Sequence, residues 1–355
     1  MGGSIQAKRV PYGLDRDHAR RAVAVLDGHA TNRREQAMAT WLAGLGLGGR
    51  RCEALGADAS TRRYWRIDGI EGTRVVMDAP AQPASCAAFI RVRGLMAGAG
   101  LHVPRIEAVD SARGFMLLED LGDTGYLQAL AGERRDELLD DALDALVRWQ
   151  AATRPGVLPP FDGARLDAEL ALFAQWYVQR HLGLAIDARW WRRWQAGSAA
   201  LVDAVLAQPQ VWTHRDFMAR NLLVSDPNPA LIDFQDALLG PVTYDIASLL
   251  RDAFISFEPA VEQYWIDAYF ERARAAGIAL PEDPRRAFAL TAAQRHLKVL
   301  GVFARLCHRD GKPAYIADAP RFLGYLRDEL QADPAFADFA ELIAALPAPG
   351  PAVTA

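Results

Sequence analysis

The chain has 355 residues, long enough for two domains or one bilobal unit with a large core, and its 51% apolar and 24% charged content is that of a globular protein. A net charge of -4 gives no electrostatic reason to expect nucleic acid as a partner. No apolar run reaches the roughly 18 to 20 residues of a membrane span, so no membrane association is expected.

Basic residues near the start have no apolar stretch behind them, so no secretory signal is read and a cytoplasmic location is expected. Cys52, Cys86 and Cys307 are scattered and odd in number, which argues against a disulfide framework or a zinc site. Among 40 basic residues only Lys8, Lys298 and Lys312 are lysines.

Residues 1–31 mix charge with Gly and Pro and read as a flexible N-terminal extension. From Asn32 to Leu47, Ala37, Trp41, Leu42 and Leu45 recur at helical spacing, and Gly46 and Gly48 end the pattern. Arg51 to Asp78 reads as three strands. The first two are joined by a tight turn over 56–61, which can bring backbone N–H groups, Ser60 and Thr61 up to phosphate oxygens. Small residues are also the default in any hairpin turn, so this signal is weak alone. Ser85 to Ala99 is a helix by period. Val103 to Val109 and Gly114 to Leu118 are strands, the latter opening into Glu119-Asp120-Leu121-Gly122. That opening suits a hinge whose backbone pairs with an adenine edge while Leu118 and Leu121 pack on the ring. A plain strand-to-helix connection fits it equally well.

Beyond the hinge the pattern turns helical, over Arg134 to Ala152, Asp167 to Leu182 and Ala188 to Leu206. Trp176, Tyr177, Trp190, Trp191 and Trp194 read as core aromatics before a sugar platform. Two short apolar runs, Asn221 to Val224 and Ala230 to Phe234, flank a Pro- and Asn-rich break, the pattern of two strands and a turn. Asp216, Asn221 and Asp233 stand at their ends. A carboxylate to take the proton of an attacking hydroxyl, and an amide oxygen and second carboxylate to hold Mg²⁺, are the needs of phosphoryl transfer. Asp245 sits where an N-cap belongs before a helix from Ile246 to Phe254 and reads as structural. The rest is helical to Leu346, and 347–355 reads as a disordered tail.

His214-Arg215-Asp216, four residues, then Asn221 resembles the kinase catalytic loop, and Asp233-Phe234-Gln235 stands where kinases place their metal-binding Asp. Residues 33–346 resemble the aminoglycoside phosphotransferase and choline kinase family. The resemblance implies an α+β, bilobal protein-kinase-like fold: an antiparallel N-lobe over 32–118 and a larger, mainly helical C-lobe over 119–346. Val76-Met77-Asp78-Ala79-Pro80, Asp233-Phe234-Gln235-Asp236-Ala237 and Tyr244 to Asp252 narrow it to the bacterial cell-wall recycling kinases. These phosphorylate the anomeric hydroxyl of N-acetylmuramate and N-acetylglucosamine, and they imply ATP as phosphoryl donor, Mg²⁺ as cofactor, and a sugar α-1-phosphate bound for UDP-N-acetylmuramate synthesis. Asp216 is then the base, and Asn221 and Asp233 the metal ligands. Another small alcohol as acceptor, and an inactive kinase-like binding module, stay open as alternatives. A monomer is expected.

One departure from the kinase pattern is informative. Met77-Asp78 occupies the place of the N-lobe lysine, and the following helix has no Glu. The phosphates still need a cation, and Arg62 and Arg63, just past the hairpin tip, are the candidates. Arg295, Lys298 and Arg305 fall on one helical stripe and are the candidate acceptor contacts, toward the lactyl carboxylate of N-acetylmuramate.

Overall fold

The computed structural model describes residues 23–25, 33–55, 62–79 and 83–347. The predicted hairpin tip with Ser60 and Thr61, most of the N-terminal extension, and the tail from 348 on lie outside them. Two compact units result. One holds the described residues up to Arg134 together with Arg220–Asp236; the other holds Arg135–Ala219 and the described residues from Ala237 on.

The first unit is built on β1 (Val23–Val25), α1 (Arg33–Gly44), β2 (Arg51–Leu55), β3 (Arg63–Asp68), β4 (Thr73–Asp78), α2 (Pro83–Gly98), β5 (Ile106–Asp110), β6 (Phe115–Glu119) and the short α3 (Tyr126–Ala129). Its first six strands form one antiparallel sheet in the order β1-β2-β3-β4-β6-β5. The helix α1 covers it: Met38 and Leu42, four apart and so on one face, are buried against Ile67, Val76, Phe115 and Leu117. Trp41 stacks on Phe115 at 5.6 Å. Within the stretch expected as an N-terminal extension, β1 pairs antiparallel with β2, Val23 opposite Glu53.

The second unit contains α4 (Arg135–Ala151), α5 (Gly163–Leu172) running into a π-helical segment Phe173–His181, α6 (Ala188–Leu206) and β7 (Gln210–Thr213). The next two strands, β8 (Leu222–Leu223) and β9 (Ala230–Leu231), belong to the sheet unit. Then β10 (Leu238–Pro241), α7 (Tyr244–Leu250), α8 (Pro259–Ala275), α9 (Pro284–Asp310), α10 (Ala319–Gln331) and α11 (Ala337–Ala344) complete the helical unit.

The helix α9 is its axis, packing on α5, the π segment, α7 and α10. Sequence chemistry fixes both its ends. Asp283 caps the N-terminus by accepting from the Arg286 N–H at 3.0 Å, Pro284 takes the first turn, and Gly311 stops the helix at φ 66°. Of the predicted core aromatics, Tyr177 and Trp194 are buried against Phe173 at 5.2 and 5.3 Å, Trp190 is half-buried and stacked on Trp194 at 5.5 Å, Trp176 is half-buried, and Trp191 is exposed, which corrects the expectation for that residue.

The close approach of α9 to the chain at Leu172–Phe173 depends on Gly301, where a methyl group would stand 2.5 Å from the Leu172 carbonyl carbon. Backbone cannot rotate away as a side chain can. The Gly301→Ala variant is therefore expected to lose about 1–3 kcal/mol, read by urea denaturation.

Candidate active site

The loop that begins at His214 leaves β7, which pairs antiparallel with β10; Thr213 Oγ1 also donates to the Leu238 carbonyl at 3.1 Å. His214 follows, fully buried. The N–H groups of His214 and Arg215 donate to the two carboxylate oxygens of Asp245 at 2.6 and 2.9 Å. Asp245 was expected to cap its own helix. Instead it lies inside the first turn of α7, wholly buried, and its acceptors are spent on the loop 30 residues upstream. Burial pushes its carboxyl up from the ordinary range, and His214, the two N–H groups and Arg295 oppose that rise.

Arg215 has φ 75°, a left-handed conformation that costs a non-glycine residue about 1–3 kcal/mol. Its surroundings hold it there. The guanidinium donates to Glu169 at 2.6 Å and lies 4.9 Å from the centre of the Phe161 ring, while its carbonyl accepts from Arg295 Nη1 at 3.2 Å. Farther along, the Ala219 N–H donates to Asp252 at 2.8 Å, and Asp252 also accepts from the Phe254 N–H at 2.6 Å. Asp216 thus stands half-buried on a loop pinned on either side by a buried carboxylate. Removing one anchor, as in Asp245→Ala, leaves two amide donors without their charged acceptor. At about 1–3 kcal/mol each, a loss of about 2–6 kcal/mol is expected in urea denaturation, together with a fall in turnover.

The three cations of α9 do not form a solvent-facing row. Arg295 is buried at 6% exposure, spent on the Arg215 carbonyl and the face of Tyr244, 4.6 Å away. Lys298 lies 3.0 Å from Glu169 and 3.2 Å from the Tyr244 hydroxyl. Arg305, half-buried, sits near Arg309 and Asp310; burial and then Arg309 hold its guanidinium below its ordinary value. The helix turns this face onto α5 and α7, which is why the first two are occupied. Glu169, with Gln294 donating to it at 3.1 Å, anchors the cluster. Burial works to raise its carboxyl, but Lys298 and Arg215 outweigh it and leave it below the ordinary range. Lys298 moves the opposite way: burial opposes its charge, and Tyr244, Glu169 and Asp216 more than restore it.

In the sheet unit, Asn221 is buried, and its carbonyl accepts from the Ile232 N–H at 3.1 Å as β8 pairs with β9. The chain then turns sharply, with Asp233 at φ 61°. Phe234 is buried against Phe89 of α2 at 4.7 Å, and Gln235 beside it is buried as well. Asp233 is 40% exposed and Asp236 56%. The Gln235 amide bridges them at 2.8 and 3.2 Å, and Arg62 reaches the same two carboxylates.

Arg63, the other candidate for the phosphates, pairs with Asp78 at 2.9 Å, and Asp78 also takes Arg34 of α1 at 2.8 Å. The residue in the place of the missing lysine therefore fastens α1 and β3 to the sheet. At the hinge, Leu118 and Leu121 are buried, and Glu119 pairs with Arg105 at 3.0 Å. The Glu119 N–H donates to the Arg105 carbonyl at 2.9 Å, so it is not an open donor for an adenine edge.

Among the described residues no group of three or more His, Cys, Asp and Glu could hold a metal ion. Mg²⁺ does not need one: it takes one or two carboxylates and completes its shell with water and phosphate oxygens. Asn221 and Asp233 offer hard oxygen donors of that kind, and a guanidinium already drawn to Asp233 shows that the position attracts a cation. The residues fit the ion. Three neighbours were missed in the sequence. Asp236 and Asp252 lay inside quoted motifs but were given no role, and Glu169 had no motif around it.

A two-stranded turn carrying an amide and a carboxylate, and an anchored loop presenting a half-exposed carboxylate, define a kinase-like phosphotransferase. The family model described as "Phosphotransferase enzyme family" matches residues 51–278, and the chain belongs to that family. It is 50% identical over 295 residues to a Pseudomonas aeruginosa protein named N-acetylmuramate/N-acetylglucosamine kinase, covering 82% of this chain and 87% of that one. A Caulobacter vibrioides protein of the same name is 33% identical over 354 residues, covering 87% and 95%. Similar folds occur in a choline/ethanolamine kinase family protein from Mesorhizobium loti, with TM-score 0.56, 17% identity and coverage of 87% of this chain and 99% of that one. An ADP-bound aminoglycoside phosphotransferase gives TM-score 0.58, 12% identity and coverage of 83% and 98%.

Proposed function

We propose that this protein transfers the γ-phosphoryl group of ATP to the anomeric hydroxyl of N-acetylmuramate and N-acetylglucosamine. The observation that carries the reading is the anchored Asp216 loop, in a chain half identical over most of its length to a kinase of that name. Asp216 accepts the C1 hydroxyl proton and orients its oxygen for in-line attack; an anomeric hydroxyl is acidic enough for a carboxylate base. Asn221 and Asp233 hold Mg²⁺, which when bound neutralises charge on the nucleotide phosphates.

Beside Asp216, Lys298 and Arg215 pair with Glu169, and two cations against the Glu169 and Asp216 carboxylates leave no surplus of negative charge of the kind a polycationic acceptor would need. Three free cysteines accord with a reducing cytoplasm, and no helix among the described residues is long and apolar enough to cross a membrane. We read the protein as a monomer, which sedimentation can check.

The test is an ADP-release screen over amino sugars, aminoglycosides and choline. Turnover confined to N-acetylated amino sugars is expected. Preference for choline or an aminoglycoside would overturn the assignment.

A further inference from the structure

We infer that Arg62 is an internal competitor for the divalent cation. It occupies the Asp233 and Asp236 carboxylates when no metal is bound, and yields them when one arrives. The inference rests on the phosphotransfer reading only for its second half, in which the displaced guanidinium turns to nucleotide phosphates.

The contacts of Arg62 are longer than those of the arginines that tie elements together, and resemble the loose pairs of Arg51 with Glu53 and Arg321 with Asp318, both at 3.7 Å. Arg62 reaches two carboxylates with one nitrogen each, Nη1 to Asp233 at 3.4 Å and Nη2 to Asp236 at 3.5 Å. Structural arginines here sit much closer: Arg66 is 2.6 Å from Asp120, Arg63 is 2.9 Å from Asp78, and Arg215 is 2.6 Å from Glu169. Charge-assisted contacts prefer about 2.7–2.9 Å. Arg62 therefore offsets part of the charge of Asp233 and Asp236 through two long contacts, with Tyr64 as a further hydrogen-bond partner. The Gln235 amide also donates to both acids, at 2.8 and 3.2 Å.

Arg62 is nonetheless only 16% exposed, so it cannot simply move into water when a cation takes its place. It needs another anion, and a nucleotide phosphate arriving with the metal provides one. Arg62 immediately precedes β3, at the end of the segment joining that strand to β2, within the unit that also holds Asn221 and Asp233. This gives the missing N-lobe lysine a replacement with a second duty. The arginine screens the acidic pair before the metal binds and neutralises phosphate afterwards.

An internal competitor weakens a ligand by the fraction of time it occupies the site, so one present about nine-tenths of the time weakens binding about tenfold. Mn²⁺ binding to the full-length protein without nucleotide, measured by electron paramagnetic resonance, should therefore tighten about tenfold in Arg62→Gln. Binding of Mg·ADP should weaken in the same variant. Arg62→Lys, which keeps the charge but loses the two-pronged reach, should fall between wild type and Arg62→Gln for Mn²⁺, and guards against misfolding of the first variant. Effects of opposite sign on metal and nucleotide support the inference. Unchanged Mn²⁺ affinity, or a parallel loss of both ligands, overturns it. If Mn²⁺ tightens but wild type binds no Mg·ADP, the competition stands and the phosphotransfer reading fails. If wild type binds Mg·ADP and Mn²⁺ affinity does not move, the reverse holds.

Discussion

Asp216→Asn is expected to lower kcat by about 10² to 10⁴ while leaving ATP affinity within about twofold of wild type. The amide keeps the size and one acceptor of the carboxylate but cannot take a proton. The loop should not move, since its anchors Asp245 and Asp252 act on backbone N–H groups on either side of residue 216 rather than on its side chain. A fall in kcat without a rise in KM for ATP is the signature of a group acting on the acceptor in the transition state. Steady-state kinetics with saturating sugar read both values. Near-normal turnover would show that the proton leaves by another route.

Asp233→Ala is expected to act on a different ligand. It removes the carboxylate we propose as a metal ligand, which is also a partner of Arg62, so Mg²⁺-dependent nucleotide binding should weaken by about 100-fold or more, beyond what loss of an outer-shell group typically produces. Calorimetric titration of ADP with and without Mg²⁺ separates the two contributions. Metal-dependent binding should be lost, and any residual metal-independent binding should remain. Equal loss with and without Mg²⁺ would show that Asp233 supports the turn rather than the ion.

What the sequence revealed was local. The interval from His214 to Asp233 contains the residues we propose as base, amide ligand and metal carboxylate, and that proposal rests on their type and close spacing. The ends of α6 and the pairing of β8 with β9 were legible for the same reason: hydrophobic period and turn residues act over a few positions. What stayed hidden was the choice of distant partners. Asp245 was assigned to its own helix because a cap is the nearest use for such a residue, yet its partners are His214 and Arg215. Helical spacing put Arg295, Lys298 and Arg305 on one stripe, but period alone does not say whether a stripe meets solvent or another helix. Glu169 decides that question for Lys298 from 129 positions away in the chain, and nothing in its own neighbourhood marks it. Between Arg62 and Arg63 the sequence offered no choice. The structure separates them by the alternation of a strand, which points one to Asp78 and leaves the other at Asp233.

The central claim is that phosphate is placed on the anomeric carbon of an N-acetylated amino sugar. A ³¹P–¹H correlation spectrum of the product formed from N-acetylglucosamine and ATP tests it directly. A single phosphorus coupled to the anomeric proton is the predicted result, and phosphorus coupled to the C6 protons or to any other ring proton would contradict it.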